Sequence, residues 1–209
     1  MPKSKIHRHE IWKKGKIAGK RPLIFSTPAP LGSKKYFSTH STHSQLTSAH
    51  LGPTTLLEII KFLATEHPEL INTVEQHNSN GLHLASQEGH SETFMYLIET
   101  LKMDPAVNDR LGRNSFIYAC VGGSLEIVEY LATKHPELIN TVDGRDDDGL
   151  HLASREGNLE TFMYLIETLK MDPTVKNDHG HNSFFHACYG GKLEIVKYLA
   201  TKHPEPGTV

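Results

Sequence analysis

The sequence predicts an all-α fold, a helix–turn–helix repeat solenoid preceded by a disordered N-terminal arm. Three observations carry that expectation. Residues 80–137 align without gaps onto 148–205, an offset of 68, and 43 of the 58 positions are identical. Within this block Ala85, Ala119, Ala153 and Ala187 recur every 34 residues, as do Gly89, Gly123, Gly157 and Gly191, and Leu97, Leu131, Leu165 and Leu199. Residues 1–43, by contrast, show no sustained apolar period. A fixed period of this length marks stacked units, none of which can bury its apolar face alone.

The arm comes first. From Ser26 to Ser48 the chain is crowded with Ser, Thr, Pro and Gly, which bury too little apolar surface to offset the chain entropy lost on ordering. Two short apolar pieces, Ile11-Trp12 and Leu23-Ile24-Phe25, are too short to define elements. The array is expected over 44–209. It comprises a partial or capping repeat at about 45–79, with a weakly patterned first helix near 45–51, and repeats at 80–111, 112–147, 148–179 and 180–209. An early partial copy, Leu63–Val74, matches Leu131–Val142 apart from Glu66 in place of Lys134.

Each repeat reads as two helices. The first is short, as in Leu82–Glu88 or Ser115–Val121, and ends at a Gly able to take the left-handed conformation of a helix C-terminus. The second is longer, as in Glu92–Leu101 or Leu125–His135. In it Phe94, Leu97, Ile98 and Leu101 fall at i, i+3, i+4 and i+7, one face of a helix. Glu92 sits in the first turn, where the helix dipole favours an anion. Asp104-Pro105 and His135-Pro136 end the helices, because Pro disfavours a helical residue before it. Polar, turn-rich stretches follow at Asn108–Gly112, Asp143–Gly149 and Asn177–Gly180.

The 209 residues carry a formal charge of -2, but the total hides a split. Residues 1–57 hold ten basic side chains against one acid, a net +9, and the remainder twelve against 23, a net -11. Two cysteines cannot make a disulfide framework, and no apolar run reaches the roughly 18 residues of a membrane-spanning helix. The basic N-terminus lacks the apolar core of a secretory signal. These features suit an intracellular protein, cytoplasmic first, with nuclear and host-cell locations as alternatives.

Gly81-Leu82-His83-Leu84-Ala85 and Leu150-His151-Leu152-Ala153, the turns Gly89-His90-Ser91-Glu92 and Gly157-Asn158-Leu159-Glu160, and the starts Leu125-Glu126-Ile127-Val128 and Leu193-Glu194-Ile195-Val196 together resemble the ankyrin repeat. The resemblance covers about residues 50–205. The Thr-Pro pair of that family is missing throughout, and the motif His survives only at His83 and His151. These departures are expected to loosen the turns without changing the architecture.

Chemistry beyond packing finds little support in the residues. His179, His181 and His186 form the spacing of a possible zinc-binding group, yet Leu111, Arg113 and Tyr118 stand at the matching positions one block earlier, so they read as turn and helix-surface residues. His67, His135 and His203 precede Pro-Glu at helix ends, where a ring donor suits exposed carbonyls. Cys120 and Cys188 read as packed thiols two repeats, on the order of 20 Å, apart and beyond disulfide reach. Met95, Met103, Met163 and Met171 read as core filling. No nucleotide loop, nucleophile elbow or zinc-protease motif occurs. No enzyme activity, cofactor, metal or small-molecule substrate is expected.

The resemblance implies a protein-interaction scaffold, a monomer that binds a protein partner through its loop tips and concave inner-helix face. The candidate contact residues are Arg110, Arg113, Tyr118, Arg145, Asp146, Asp147, Asp148, Arg155, His179, His181 and Tyr189. Tyr189 is a plausible anchor, and Asp143, Asp146, Asp147 and Asp148 around Arg145 form an acidic cluster suited to a basic partner or a solvated loop. The alternative reading gives the binding to the basic arm, Lys3 to Arg21, which would contact nucleic acid or an anionic membrane while the repeats act as a tether.

Overall fold

The computed structural model describes residues 53–71 and 78–203, with side chains from residue 56 onward. The arm, its basic cluster, the first helix expected near 45–51, most of the tip at 73–80 and the segment beyond His203 lie outside the described residues. The chain divides into two units, Met1–His40 and Ser41–Val209, and every described residue belongs to the second.

Among the described residues there are nine α-helices and no strand beyond one isolated antiparallel bridge, Val142 to Asp148. Helix α1 spans Pro53–Glu66. The inner helices are α2 (Gly81–Glu88), α4 (Ser115–Gly122), α6 (Gly149–Glu156) and α8 (Ser183–Tyr189). The outer helices are α3 (Ser91–Met95), continued by a π-helical turn at Tyr96–Thr100, then α5 (Leu125–Lys134), α7 (Leu159–Glu167) and α9 (Leu193–Lys202). Inner packs on inner in the order α2, α4, α6, α8. Outer packs on outer in the order α3, α5, α7, α9, and α1 lies against α3.

Side-chain caps stand where the Thr-Pro pairs are missing. Each inner helix instead starts at an Asn or Asp in extended conformation, whose side chain accepts backbone N–H bonds from the first turn: Asn80 from Leu82 and His83, Asn114 from Ile117, Asp148 from His151 and Asn182 from Phe185. Such caps contribute about 0.5–2 kcal/mol each. At the other end, the pair Gly122-Gly123 divides two tasks. Gly123 takes φ +74, the left-handed conformation that closes the helix. Gly122 lets two backbones touch, since a Cβ there would stand 1.8 Å from the Gln87 carbonyl oxygen. Gly190 repeats the contact at 2.1 Å from the Arg155 carbonyl oxygen. Glu88 and Glu156 fill this slot in the other half-type, so the close approach recurs every second repeat.

The core runs along the array as repeated layers. Leu82, Phe116 and Leu150 are fully buried on the inner helices, and Leu97, Leu131, Leu165 and Leu199 line the outer ones. Phe94 meets Tyr130 edge-on at 5.9 Å, and Phe162 meets Tyr198 the same way at 6.0 Å, a geometry that adds about 0.5–1.5 kcal/mol to simple burial. All four repeated methionines are half-buried, and Met103 and Met171 pack against this core.

Helix α8, the last inner helix described, departs from its copies. Phe184 sits in the slot of Leu82, Phe116 and Leu150 but is 38% exposed. Cys188 is exposed too, which corrects the expectation of a packed thiol; its copy Cys120 is covered by Gly149 of the next inner helix. Burial, with the Asp148 charge adding to it, holds the Cys120 thiol well above its usual pKa.

Candidate partner-binding surface

The loop tips are built by one side chain per repeat. Asp109, Asp143 and Asn177 stand 34 residues apart, and each folds its own tip. The Asp109 Oδ1 accepts the N–H groups of Leu111 and Arg113, both at 2.8 Å. Asp143 Oδ1 accepts those of Arg145 at 2.9 Å and Asp147 at 3.2 Å. Asn177 Oδ1 accepts those of His179 at 3.0 Å and His181 at 2.9 Å. An Asx side chain can mimic a turn in this way. Successive tips are then tied by backbone bonds, Gly144 N–H to the Leu111 carbonyl at 2.7 Å and Asp178 N–H to the Arg145 carbonyl at 3.2 Å. The tips from Asp109 to His181 therefore form one connected edge.

This geometry sorts the candidate residues. Arg110, Arg145, Asp146, His179 and Tyr189 are exposed, and Leu111 beside Arg110 is exposed as well. Arg155 is half-buried and pairs with Glu156 at 3.0 Å. Five others have structural work. Arg113 reaches across to Asp143 of the next tip at 3.2 Å. Asp148 caps α6. Asp147 is only 2% exposed and accepts the Asn177 amide at 2.7 Å. Tyr118 donates to Asp109 Oδ2 at 2.9 Å and lies 2.9 Å from Ser79 Oγ. His181 stacks on Phe185 with ring centroids 3.6 Å apart.

The acidic cluster is thus corrected. Asp143 and Asp147 are buried, Asp148 is a helix cap, and Asp146 is the one of the four left exposed. A turn that bonds its own N–H groups has to turn its carboxylates inward, which the charge run alone does not reveal.

Divergence between the two 68-residue modules also has a packing reason. In the first, Ser79, Asp109 and Tyr118 hydrogen-bond together. At the matching places in the second stand Asp147, Asn177 and His186, where Asp147 Oδ1 lies 3.2 Å from His186 Nε2 and accepts the Asn177 amide. Each triad keeps one carboxylate, but its position moves. Burial raises the Asp147 pKa, yet the His186 and Asn177 bonds outweigh it and the net shift is downward. Burial, with Asp109 accepting the hydroxyl, pushes Tyr118 up to about 12.

The histidines are placed as follows. His83 and His151 are buried and order the turns, their Nε2 atoms 2.8 Å and 3.0 Å from the carbonyls of Val107 and Val175. His67 and His135 contact the Glu two residues on, at 3.3 Å, and not the helix-end carbonyls expected for them. Among the described residues no group of three or more His, Cys, Asp or Glu is arranged to hold a metal ion. No described helix is long and apolar enough to cross a membrane.

Sequence reasoning missed Phe185, Phe184 and Leu193. Phe185 is 42% exposed, while its copies His83, Ile117 and His151 are buried. Repeat alignment assigns it their burial. The signal that could have found it was the order of the repeats, because Phe185 stands on the last inner helix described, with no described inner helix packed beyond it. Together His181, Phe185 and Tyr189 make an aromatic row, with the Phe185 and Tyr189 rings near parallel at 6.3 Å.

Stacked helix pairs with a connected edge of tips define a repeat protein suited to recognition by surface. The chain belongs to the ankyrin-repeat family, whose repeat model matches residues 52–143 and 135–208. It is 30% identical over 104 residues to the ankyrin repeat and SAM domain-containing protein 6 of Mus musculus, matching 50% of this chain and 12% of that protein. It is 26% identical over 144 residues to the ankyrin repeat-containing protein YAR1 of Saccharomyces cerevisiae, covering 68% and 60%. A match of 28% over 106 residues to the mitochondrial liver glutaminase of Mus musculus takes in 17% of that enzyme. The chain therefore spans between about an eighth and three-fifths of the length of these relatives. Ankyrin repeats are in general protein-interaction modules.

Proposed function

We propose that this protein is a non-enzymatic intracellular scaffold or adaptor that binds a protein partner through its tips and inner-helix face, centred on the C-terminal repeats. The observation that carries the reading is the aromatic row that runs from the tip at His181 onto α8. Tyr189 is 77% exposed, its ring runs near parallel to that of Phe185, and His181 stacks on Phe185 in turn. Stacking restrains these rings before any partner arrives, which lowers the entropy lost on binding. Aromatic residues of this kind dominate binding energy at interfaces. Arg145, Asp146 and His179 on the adjoining tips supply a polar rim, and Arg110 with Leu111 extends it.

The test is capture of a partner by the full chain, followed by Phe185→Ala and Tyr189→Ala. Each is expected to weaken binding by at least about 2 kcal/mol, some thirtyfold, with the helical circular dichroism unchanged. Full-strength binding by both variants would place the contact elsewhere. Removing residues 1–43 in the same assay separates repeat-driven from arm-driven binding. A steep loss of binding with added salt, confined to the intact chain, would favour the nucleic-acid or anionic-membrane reading of the arm.

A further inference from the structure

The two buried motif histidines stand in the same place of the two modules, yet their ring nitrogens meet different partners. His83 Nε2 lies 2.8 Å from the Val107 carbonyl oxygen, and its Nδ1 accepts the Asn80 backbone N–H at 3.0 Å. One nitrogen donates and the other accepts, so the neutral ring satisfies both contacts. His151 Nε2 likewise lies 3.0 Å from the Val175 carbonyl oxygen. Its Nδ1, however, is 2.7 Å from Asp148 Oδ1, while the Asp148 N–H has drawn back to 3.4 Å. Each nitrogen now has an acceptor as its nearest partner, with the Asp148 N–H kept only as the longer contact to Nδ1, and a doubly protonated ring satisfies both short contacts. A neutral ring protonated at Nε2 would set its Nδ1 lone pair against the carboxylate, and one protonated at Nδ1 would set its Nε2 lone pair against the Val175 carbonyl.

We propose that Asp148 and His151 form a protonation switch at the start of α6, with no counterpart at Asn80 and His83. In the protonated state the imidazolium bridges the Asp148 carboxylate and the tip carbonyl of Val175. In the neutral state Nδ1 loses its proton and takes up the Asp148 N–H, as His83 does with Asn80, while Oδ1 keeps its bond from the His151 N–H, now 2.9 Å. The Nε2–H bond to the Val175 carbonyl persists in both states, so the switch changes how the His151 ring is tied to Asp148 at the start of α6.

The surroundings set the direction. Asp147 and Asp148 face His151 from the preceding strand-like segment, and His186 faces it from α8 with ring centroids 5.3 Å apart. His181 lies 6.2 Å from His186, and Asn177 sits between the tip and Asp147. Cys120 on α4, near Asp148, is kept protonated by burial. His186 Nε2 is turned to Asp147, and its buried Nδ1 has no hydrogen-bond partner among the described residues. Around His83 stand Tyr118 on α4, with ring centroids 5.0 Å apart, and Asp109. Arg113 lies near the Tyr118 hydroxyl. Burial works against a charged ring at both histidines. At His151 the Asp148 bond and charge, with Asp147, outweigh burial, and the pKa rises above 6.5. At His83 burial prevails and the pKa falls below 6.5.

The signs are therefore opposite in the two modules. The raised His151 contributes stability that is fully present below 6.5 and is lost as pH rises through its folded value. The lowered His83 contributes stability that is present above 6.5 and is lost as pH falls through its folded value. Mild acid tightens the 148–179 repeat and loosens the 80–111 repeat.

The experiment is a titration of the full chain between pH 5.5 and 9, following the imidazole nitrogens by NMR. His83→Gln and His151→Gln identify the two rings. His151 is expected to remain doubly protonated past pH 6.5, and His83 to stay a neutral Nε2–H ring below it. Asp148→Asn, which keeps a cap of the kind Asn80 provides, is expected to move the His151 transition below 6.5. Asn80→Asp is expected to move that of His83 above it. A neutral His151 ring at pH 6, or a His83 transition unmoved by Asn80→Asp, would overturn the proposal. The second variant decides the matter even if Asp148→Asn fails to fold.

Discussion

Replacing Gly122 by Ala tests the helix stacking at its closest point. The new methyl would lie 1.8 Å from the Gln87 carbonyl oxygen and 2.6 Å from its carbonyl carbon, whereas ordinary contact begins at 3.4 Å. The obstacle is backbone, so no rotamer change relieves it. Helices α2 and α4 must part by roughly 1.6 Å there, enough to forfeit much of the dispersion energy across the junction. Overpacking of a fitted core costs about 1–3 kcal/mol, and here the upper half of that range applies. Alanine returns about 1 kcal/mol through its better helix propensity. The net expectation is destabilisation by about 1–2 kcal/mol, a drop in Tm of roughly 2–8 °C. Gly81→Ala is the control. Among the described residues nothing lies within 4 Å of its added methyl, so the propensity gain is expected to dominate, and Tm should rise by about 1–3 °C. Thermal and urea unfolding of both variants read the result. An unchanged or raised Tm for Gly122→Ala would refute the close-approach explanation of the paired glycines.

Two further substitutions probe the tips. Asp143→Ala removes the acceptor for two turn N–H groups and the partner of Arg113, and should cost about 1–3 kcal/mol in urea unfolding. Asp143→Asn should cost less than half of that, because Asn177 folds the next tip with the same amide oxygen. Tyr118→Phe should lose about 0.5–1.5 kcal/mol, and ultraviolet titration should show the Tyr118 phenol ionising near pH 12.

The array was legible because its signal repeats. Leu97, Leu131, Leu165 and Leu199 share one burial state, and the period makes each copy vouch for the others. The tips were less legible. Asp109, Asp143 and Asn177 keep the 34-residue register, but an Asp at a turn reads as surface charge until its backbone bonds are seen. Asp147 was placed on the surface because it stands in a run with Asp146 and Asp148; its burial follows from His186 and Asn177, 39 and 30 residues away. Cys188, expected to be packed, and Phe185, which no expectation covered, are exposed for the opposite reason. The period assigns them the burial of Ile117 and Cys120, but burial belongs to the junction with a following helix and not to the residue. The glycine pairs were placed correctly as turns, while the close approach at Gly122 is a property of two backbones and has no mark in one of them.

Amide hydrogen exchange on the full chain, with and without its captured partner, tests the central claim most directly. Partner-binding repeats should gain protection at 109–113, 143–147 and 177–181 and along α8, with the outer helices α5 and α7 unchanged. Protection confined to residues 1–43, or spread over the outer helices with the tips untouched, would contradict it.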